Sequence, residues 1–181
     1  MMIPVRVVAD ERERASGVPE ELSKLNVRVY FSKLSVGDYV LSPEVAVERK
    51  SVPDLISSIY DSRIFLQASR IASSYAKPYL LIEGDSKEVE RLTRNLKSYY
   101  GAIASVTLAY GLRVLFTANK TETAVAISEL LRNVRARPVP HQMSETPQEQ
   151  ELLSAAGLPY LLPPRSRAQA RGATASQVRN A

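Results

Sequence analysis

The chain has no cysteine and one histidine, His141, among its 181 residues. Structural disulfides and cysteine-based zinc sites are excluded, and a histidine-rich metal centre with them. No apolar run reaches membrane-spanning length, and the N-terminus lacks the charged-then-apolar layout of a signal peptide. The protein is therefore expected to be intracellular and to have no membrane partner. A strong charge bias is missing as well, the formal net charge being +5. Residues 1–134 hold 18 Lys+Arg against 16 Asp+Glu, and the other 47 hold 6 against 3. A phosphate-bearing partner is compatible with this balance, but its binding face must be local.

What is present is a spacing. Gly37-Asp38-Tyr39 is followed after nine residues by Glu48-Arg49-Lys50, giving Asp-x9-Glu-x-Lys across two short apolar segments. If Val45 to Lys50 is a strand, Glu48 and Lys50 share one face and Arg49 takes the other. A turn at Ser42-Pro43-Glu44 lets Asp38 to Leu41 pair with it, which brings Asp38 beside Glu48 and Lys50. Two carboxylates and an ammonium suit a hard divalent cation that activates water for attack on a phosphodiester. Mg²⁺ needs only one or two carboxylates plus substrate phosphate, with Mn²⁺ as a substitute. Lys50 would position the attacking water or stabilise charge in the transition state. The alternative is an ordinary hairpin with a surface ion pair.

Around this spacing, strands alternate with helices. Val5 to Ala9, Val27 to Phe31, Pro78 to Ile82 and Arg113 to Phe116 read as strands beside the hairpin. Pro19 to Leu25, a helix capped by Ser51, Ile64 to Tyr75, Lys87 to Leu92, Lys97 to Tyr110 and Thr121 to Val134 read as helices. The alternation predicts an α/β fold, a mixed central sheet flanked by helices.

Val47-Glu48-Arg49-Lys50-Ser51-Val52-Pro53-Asp54 resembles the ERKxxxD signature of the XPF family of structure-specific DNA endonucleases. Val8-Ala9-Asp10-Glu11-Arg12-Glu13 is similar to that family's first-strand motif, and Gly37-Asp38-Tyr39 to its GDY motif. Asp61 to Gln67 and Leu80-Leu81-Ile82-Glu83-Gly84 resemble two later segments, so the likeness covers residues 3 to 134. It is greatest to the short archaeal members that lack a helicase part. The resemblance implies a restriction-endonuclease-like fold and Mg²⁺-dependent cutting of branched or flap DNA in repair, in the cytoplasm of an archaeon. It implies Asp38, Glu48, Arg49, Lys50, Asp10 and Asp54 as catalytic residues, with Asp38, Glu48 and Asp10 on the metal. Arg12, Arg63, Gln67 and Arg70 are the expected DNA contacts, the last three on one helical face at i, i+4 and i+7.

Several of these residues have a plainer reading. Asp10 can be a strand-end carboxylate paired with Arg12 or Arg14, and Asp54 can favour a helix N-terminus. Glu83 is either an active-site carboxylate or a structural cap. Tyr39 is expected in the core with its hydroxyl bonded. Arg49 faces away from Glu48 unless a bulge redirects it. A non-catalytic DNA-binding or scaffold partner of a nuclease is the alternative function.

The apolar residues Tyr99, Tyr100, Ile103, Val106, Leu108, Tyr110, Val125, Ile127, Leu130 and Leu131 exceed what a small sheet needs to cover. They predict an exposed patch and a homodimer through helices near 97–110 and 121–134, as the resemblance also implies. Beyond residue 134 apolar periodicity weakens. Residues 135–162 read as a linker with a short helix at Gln148 to Ala156, and 163–181 as a disordered tail. The family's tandem helix-hairpin-helix domain is not recognisable there, since Gly157 and Gly172 stand isolated. The sliding clamp, a partner open to the family, finds no Gln-x-x-Ile/Leu-x-x-Phe-Phe string.

Overall fold

The computed structural model describes residues 5–135. The readings of the linker, the short helix and the tail lie outside the described residues. Strand β1 (Val5–Asp10) runs into a 3₁₀ stretch, Glu11–Ser16, and helix α1 (Val18–Lys24). There follow β2 (Val27–Ser32), β3 (Tyr39–Val40), β4 (Val45–Ser51), α2 (Val52–Tyr60), α3 (Arg63–Ser74) and β5 (Lys77–Glu83). Helices α4 (Ser86–Leu92) and α5 (Leu96–Leu108), strand β6 (Arg113–Thr117) and helix α6 (Lys120–Arg135) complete the order.

One six-stranded sheet runs β2-β1-β3-β4-β5-β6. Only β3 is antiparallel to its neighbours, and the other pairs are parallel. The mixed sheet of the sequence reading is therefore observed. Because β3 alone is reversed, five strands end at the edge where β3 begins.

Alternation along the strands separates two cores. Ala46, Leu80 and Ile82 pack with Val52, Leu55, Ile64, Ile71, Ile103 and Val106 under α2 to α5. Val7, Ala9, Val47 and Leu81 pack on the other face with Val18 and Leu22 of α1 and with Ala124, Ile127 and Leu131 of α6. Ser51 caps α2 by accepting the amide of Asp54 at 3.3 Å, as its position before Val52-Pro53 predicts. Gly84 ends β5 at φ 144, where a β-carbon would stand 2.5 Å from Cγ2 of Val52. No other residue type fits so close an approach of strand end and helix start.

The hairpin pairs as predicted across Asp38 to Leu41: Tyr39 and Val40 form the ladder, and the amides of Asp38 and Leu41 donate to Val47 and Val45 at 2.9 Å. One expectation needs correction: the apolar excess is smaller. Tyr99, Ile103, Val106, Ile127 and Leu131 are buried in the protein's own two cores, since a sheet covered on both faces needs them. Tyr100, Leu108 and Val125 remain exposed, together with Phe116 of the edge strand β6.

Candidate active site

The site is built where β1 and β4 end and β3 begins. The turn before β4 is closed by Ser42, whose Oγ accepts the amides of Glu44 and Val45. This turns the chain so that Tyr39 pairs Val47 on one side and Ala9 on the other. Asp38 is then locked by its own backbone: its amide donates to Val47 at 2.9 Å, and its carbonyl accepts from Asp10 at 2.8 Å. Its side-chain Oδ2 accepts the Arg49 amide at 2.8 Å. Three residues distant in sequence are thereby joined through main-chain bonds that sequence changes hardly disturb.

Glu48 and Lys50 point to one side of β4, with Lys50 Nζ 3.8 Å from Glu48 Oε1. Lys50 is only 6% exposed, so its ammonium has been taken largely out of water. Asp38 is pushed up to about 8, first by burial and then by the charges of Glu48 and Glu13. Glu48 is also raised, by burial first, although Lys50 and Arg12 oppose the rise. Two carboxylates thus sit in a desolvated position where they resist being ionised together. Oxygen donors under such mutual repulsion fit a hard dication, which would relieve both terms. Among the described residues no three acidic or histidine side chains converge into a ready-made metal cage. The donor set present fits an ion that keeps waters and shares a substrate oxygen.

Asp10 is buried, and both of its oxygens are used. Oδ1 accepts the Arg12 amide and guanidinium, and Oδ2 accepts the Leu34 amide at 2.8 Å. Arg12 holds its carboxyl below the usual range, although burial acts against this. The strand-end pairing anticipated for Asp10 is present. Arg12 itself stays largely exposed, within electrostatic reach of Asp38 and Glu48.

Arg49 follows the regular alternation, without the bulge that would turn it toward Glu48. Its guanidinium lies on the α6 side, donating to both oxygens of Glu83 at 2.7 and 3.1 Å and lying 3.7 Å from Glu13. Only its backbone amide reaches Asp38. Glu83 also accepts from Thr123 of α6 at 2.6 Å, so it joins sheet and helix rather than capping a strand. Tyr39 is fully buried and its hydroxyl donates to Glu13 at 2.6 Å, as expected of a core tyrosine. The residue that sequence reasoning passed over is Glu13, buried behind Asp38. Its only signal was its place at the end of Asp10-Glu11-Arg12-Glu13.

The remaining candidates are not drawn into this cluster by any hydrogen bond or ion pair. Asp54 is exposed at the α2 N-terminus. Arg63 is paired with Asp61 at 3.2 Å and Arg70 is exposed. Gln67 is half-buried with an Oε1 that finds no partner among the described residues.

Comparison with known proteins bears on the family and the fold. The ERCC4 domain model matches residues 9–130. The "3'-flap repair endonuclease Xpf" of Saccharolobus solfataricus is 42% identical over 126 residues, 70% of this chain and 54% of that protein. The chain thus spans about half the length of that relative. A "Putative ATP-dependent RNA helicase" of Methanocaldococcus jannaschii is 37% identical over 121 residues, 67% of this chain but 14% of that one. Among solved structures, XPF from Aeropyrum pernix in complex with DNA superposes with TM-score 0.67 at 32% identity, covering 84% of this chain and 82% of that one. Sharing that fold and the residue order of the domain, the chain belongs to the ERCC4-domain family of XPF-type proteins.

Proposed function

We propose that the protein is a structure-specific DNA endonuclease that hydrolyses a phosphodiester near a branch, on 3′-flap or fork substrates, in DNA repair. The observation that carries this reading is the half-buried, mutually repelling pair Asp38 and Glu48 with Lys50 3.8 Å from Glu48. Asp38 and Glu48 would hold a divalent cation, Mg²⁺ or Mn²⁺ in its place, with Asp10 as the next carboxylate. When bound, the ion supplies a water of lowered pKa and positive charge for the phosphate. Lys50, buried beside Glu48, would donate to the attacking water or to a non-bridging oxygen. Arg12, anchored at its base by Asp10, reaches outward to the neighbouring phosphate. Arg49 fixes Asp38 through its amide and fixes β4 to β5 and α6 through Glu83. Arg63, Gln67 and Arg70 present a polar face of α3 to the DNA, and Asp54 supports the α2 N-terminus beside β4.

A homodimer on the α5 and α6 side completes the proposal. Those helices flank β6, an edge strand among the described residues, and Tyr100, Leu108, Phe116 and Val125 of these elements are 56%, 85%, 60% and 45% exposed. Exposed apolar side chains beside an edge strand mark a surface suited to pairing with another chain. Sedimentation of the full chain at micromolar concentration tests this, and a monomer overturns it.

The activity is tested with labelled 3′-flap, Y-fork and plain duplex DNA, with and without Mg²⁺. Metal-dependent cutting of the branched substrates by the wild type and none by Glu48→Gln is the expected result. Binding without cutting by the wild type would favour the scaffold alternative.

A further inference from the structure

Among the described residues, the helices of one sheet face leave two strands bare. No residue of β1 or β2 enters the core beneath α2 to α5. Val7, Ala9 and Val27 are buried on the opposite face, so alternation puts Arg6, Val8 and Asp10 of β1 and Arg28, Tyr30 and Ser32 of β2 on the bare one. Arg6, Arg28, Tyr30 and Ser32 are exposed, Tyr30 by 48%. The parallel register sets Arg6 beside Arg28, Val8 beside Tyr30 and Asp10 beside Ser32.

Two arginines directly opposite each other on neighbouring strands repel and weaken the sheet. Among the described residues neither has a carboxylate within 4 Å. An anion laid across both would reverse that repulsion. Lys33, also exposed, follows β2 directly. The row therefore reads from paired cations, through an exposed ring, to the carboxylate edge at Asp10. It extends about 13 Å along β1 from Arg6 to Asp10, at about 3.3 Å per residue.

We propose that this bare β1–β2 face binds an unpaired nucleic-acid strand, the single-stranded arm of the branched substrate, and leads it to the carboxylate edge. Arg6 and Arg28 clamp the backbone and Tyr30 stacks one base. A ring standing on a flat sheet needs a base whose face is free, which a single strand offers and a duplex interior does not. The inference rests on the endonuclease reading for the identity of the arm, but its binding test is independent of cutting.

The test is fluorescence anisotropy of the full chain with a labelled oligothymidine of about 15 nucleotides, close to the upper limit of single-strand site sizes, and with blunt duplex of equal length, in EDTA. For Arg6→Gln/Arg28→Gln we expect about a tenfold loss of oligothymidine affinity and a salt slope shallower by about 1.4, at about 0.7 per phosphate contact. Tyr30→Ser should lose about fivefold or more with the slope unchanged, and Tyr30→Phe should bind as the wild type. Duplex affinity should change less than about twofold in all variants. Unchanged oligothymidine binding, equal loss on duplex, or a shift in sedimentation without a shift in affinity would each overturn the proposal. The last outcome would assign the face to a second copy of the chain. Failure of the endonuclease reading would show separately, as absence of metal-dependent flap cutting by the wild type.

Discussion

Replacing Asp38 with Asn should stabilise the metal-free protein while destroying its response to divalent cations. The substitution keeps the shape and an oxygen to accept the Arg49 amide, now 2.8 Å from Oδ2. What it removes is a charge held beside Glu48 and Glu13. The rise of Asp38 from 3.8 to about 8 corresponds to a cost near 6 kcal/mol for the fully ionised site, at about 1.4 kcal/mol per tenfold change in proton affinity. Glu48 shares the repulsion, so only part of that cost is recovered in the variant, and a gain of about 2 kcal/mol is expected at pH 8, or about 6 °C in melting temperature. The sign follows from the direction of the shift. The native state keeps a proton that the unfolded chain releases above about 3.8, so the contribution of Asp38 to stability is fully present below that pH and is lost as pH rises through about 8. The difference between the two proteins should therefore shrink toward pH 5. With a divalent ion at a hundred times its dissociation constant, the wild type should gain about 2.7 kcal/mol and the variant little. Thermal melts of both full chains in EDTA and in Mn²⁺, at pH 5 and pH 8, make the comparison. A variant that melts below the wild type in EDTA at pH 8, or gains equally from Mn²⁺, would refute the reasoning.

Lys50→Met should lower flap cleavage by about a hundredfold or more while leaving DNA affinity within a few-fold, measured by single-turnover cutting and anisotropy. Arg49→Met strips Glu83 and Glu13 of their shared cation and should destabilise by about 3 kcal/mol in urea unfolding, more than the matched exposed change Arg70→Met. Tyr39→Phe leaves Glu13 without its hydroxyl donor and should cost about 1–2 kcal/mol in the same assay. Gly84→Ala must push Val52 aside, and a loss of about 2–3 kcal/mol is expected; an unchanged urea midpoint would contradict the close approach at that strand end.

Much of this architecture was legible because each element carries its own period. Val27 to Phe31 is a short run rich in β-branched and aromatic residues and Pro78 to Ile82 a continuous apolar one, and they became β2 and β5. Ser51 before Val52-Pro53 announced a helix start, and α2 begins there. The faces of Glu48, Arg49 and Lys50 followed from alternation alone, and the structure keeps it. Less legible was anything that depends on which elements cover which face. The apolar residues of α5 and α6 suggested an exposed patch, yet half of them are consumed by a sheet that is sandwiched on both sides. Sequence periodicity reports that a helix has an apolar side, not how much of it a sheet will occupy.

Glu13 shows the limit most clearly. It lies in a charged run, Glu11-Arg12-Glu13-Arg14, which on composition alone reads as a solvated loop. Three of those residues do face water, and Glu11 and Arg14 pair at the surface. Glu13 differs because the 3₁₀ turn starting at Asp10 rotates it inward, where Tyr39 and Arg49 wait. Both partners belong to the strands that carry Asp38 and Glu48. A buried acid so placed raises Asp38 further and holds the Arg49 side of β4 in place. The charge that makes the carboxylate pair hard to ionise is thus partly supplied from behind the site, by a residue without a place in the Asp-x9-Glu-x-Lys spacing. Such a residue is visible only once the turn that buries it is known, because its role comes from the partners it meets and not from its neighbours in sequence.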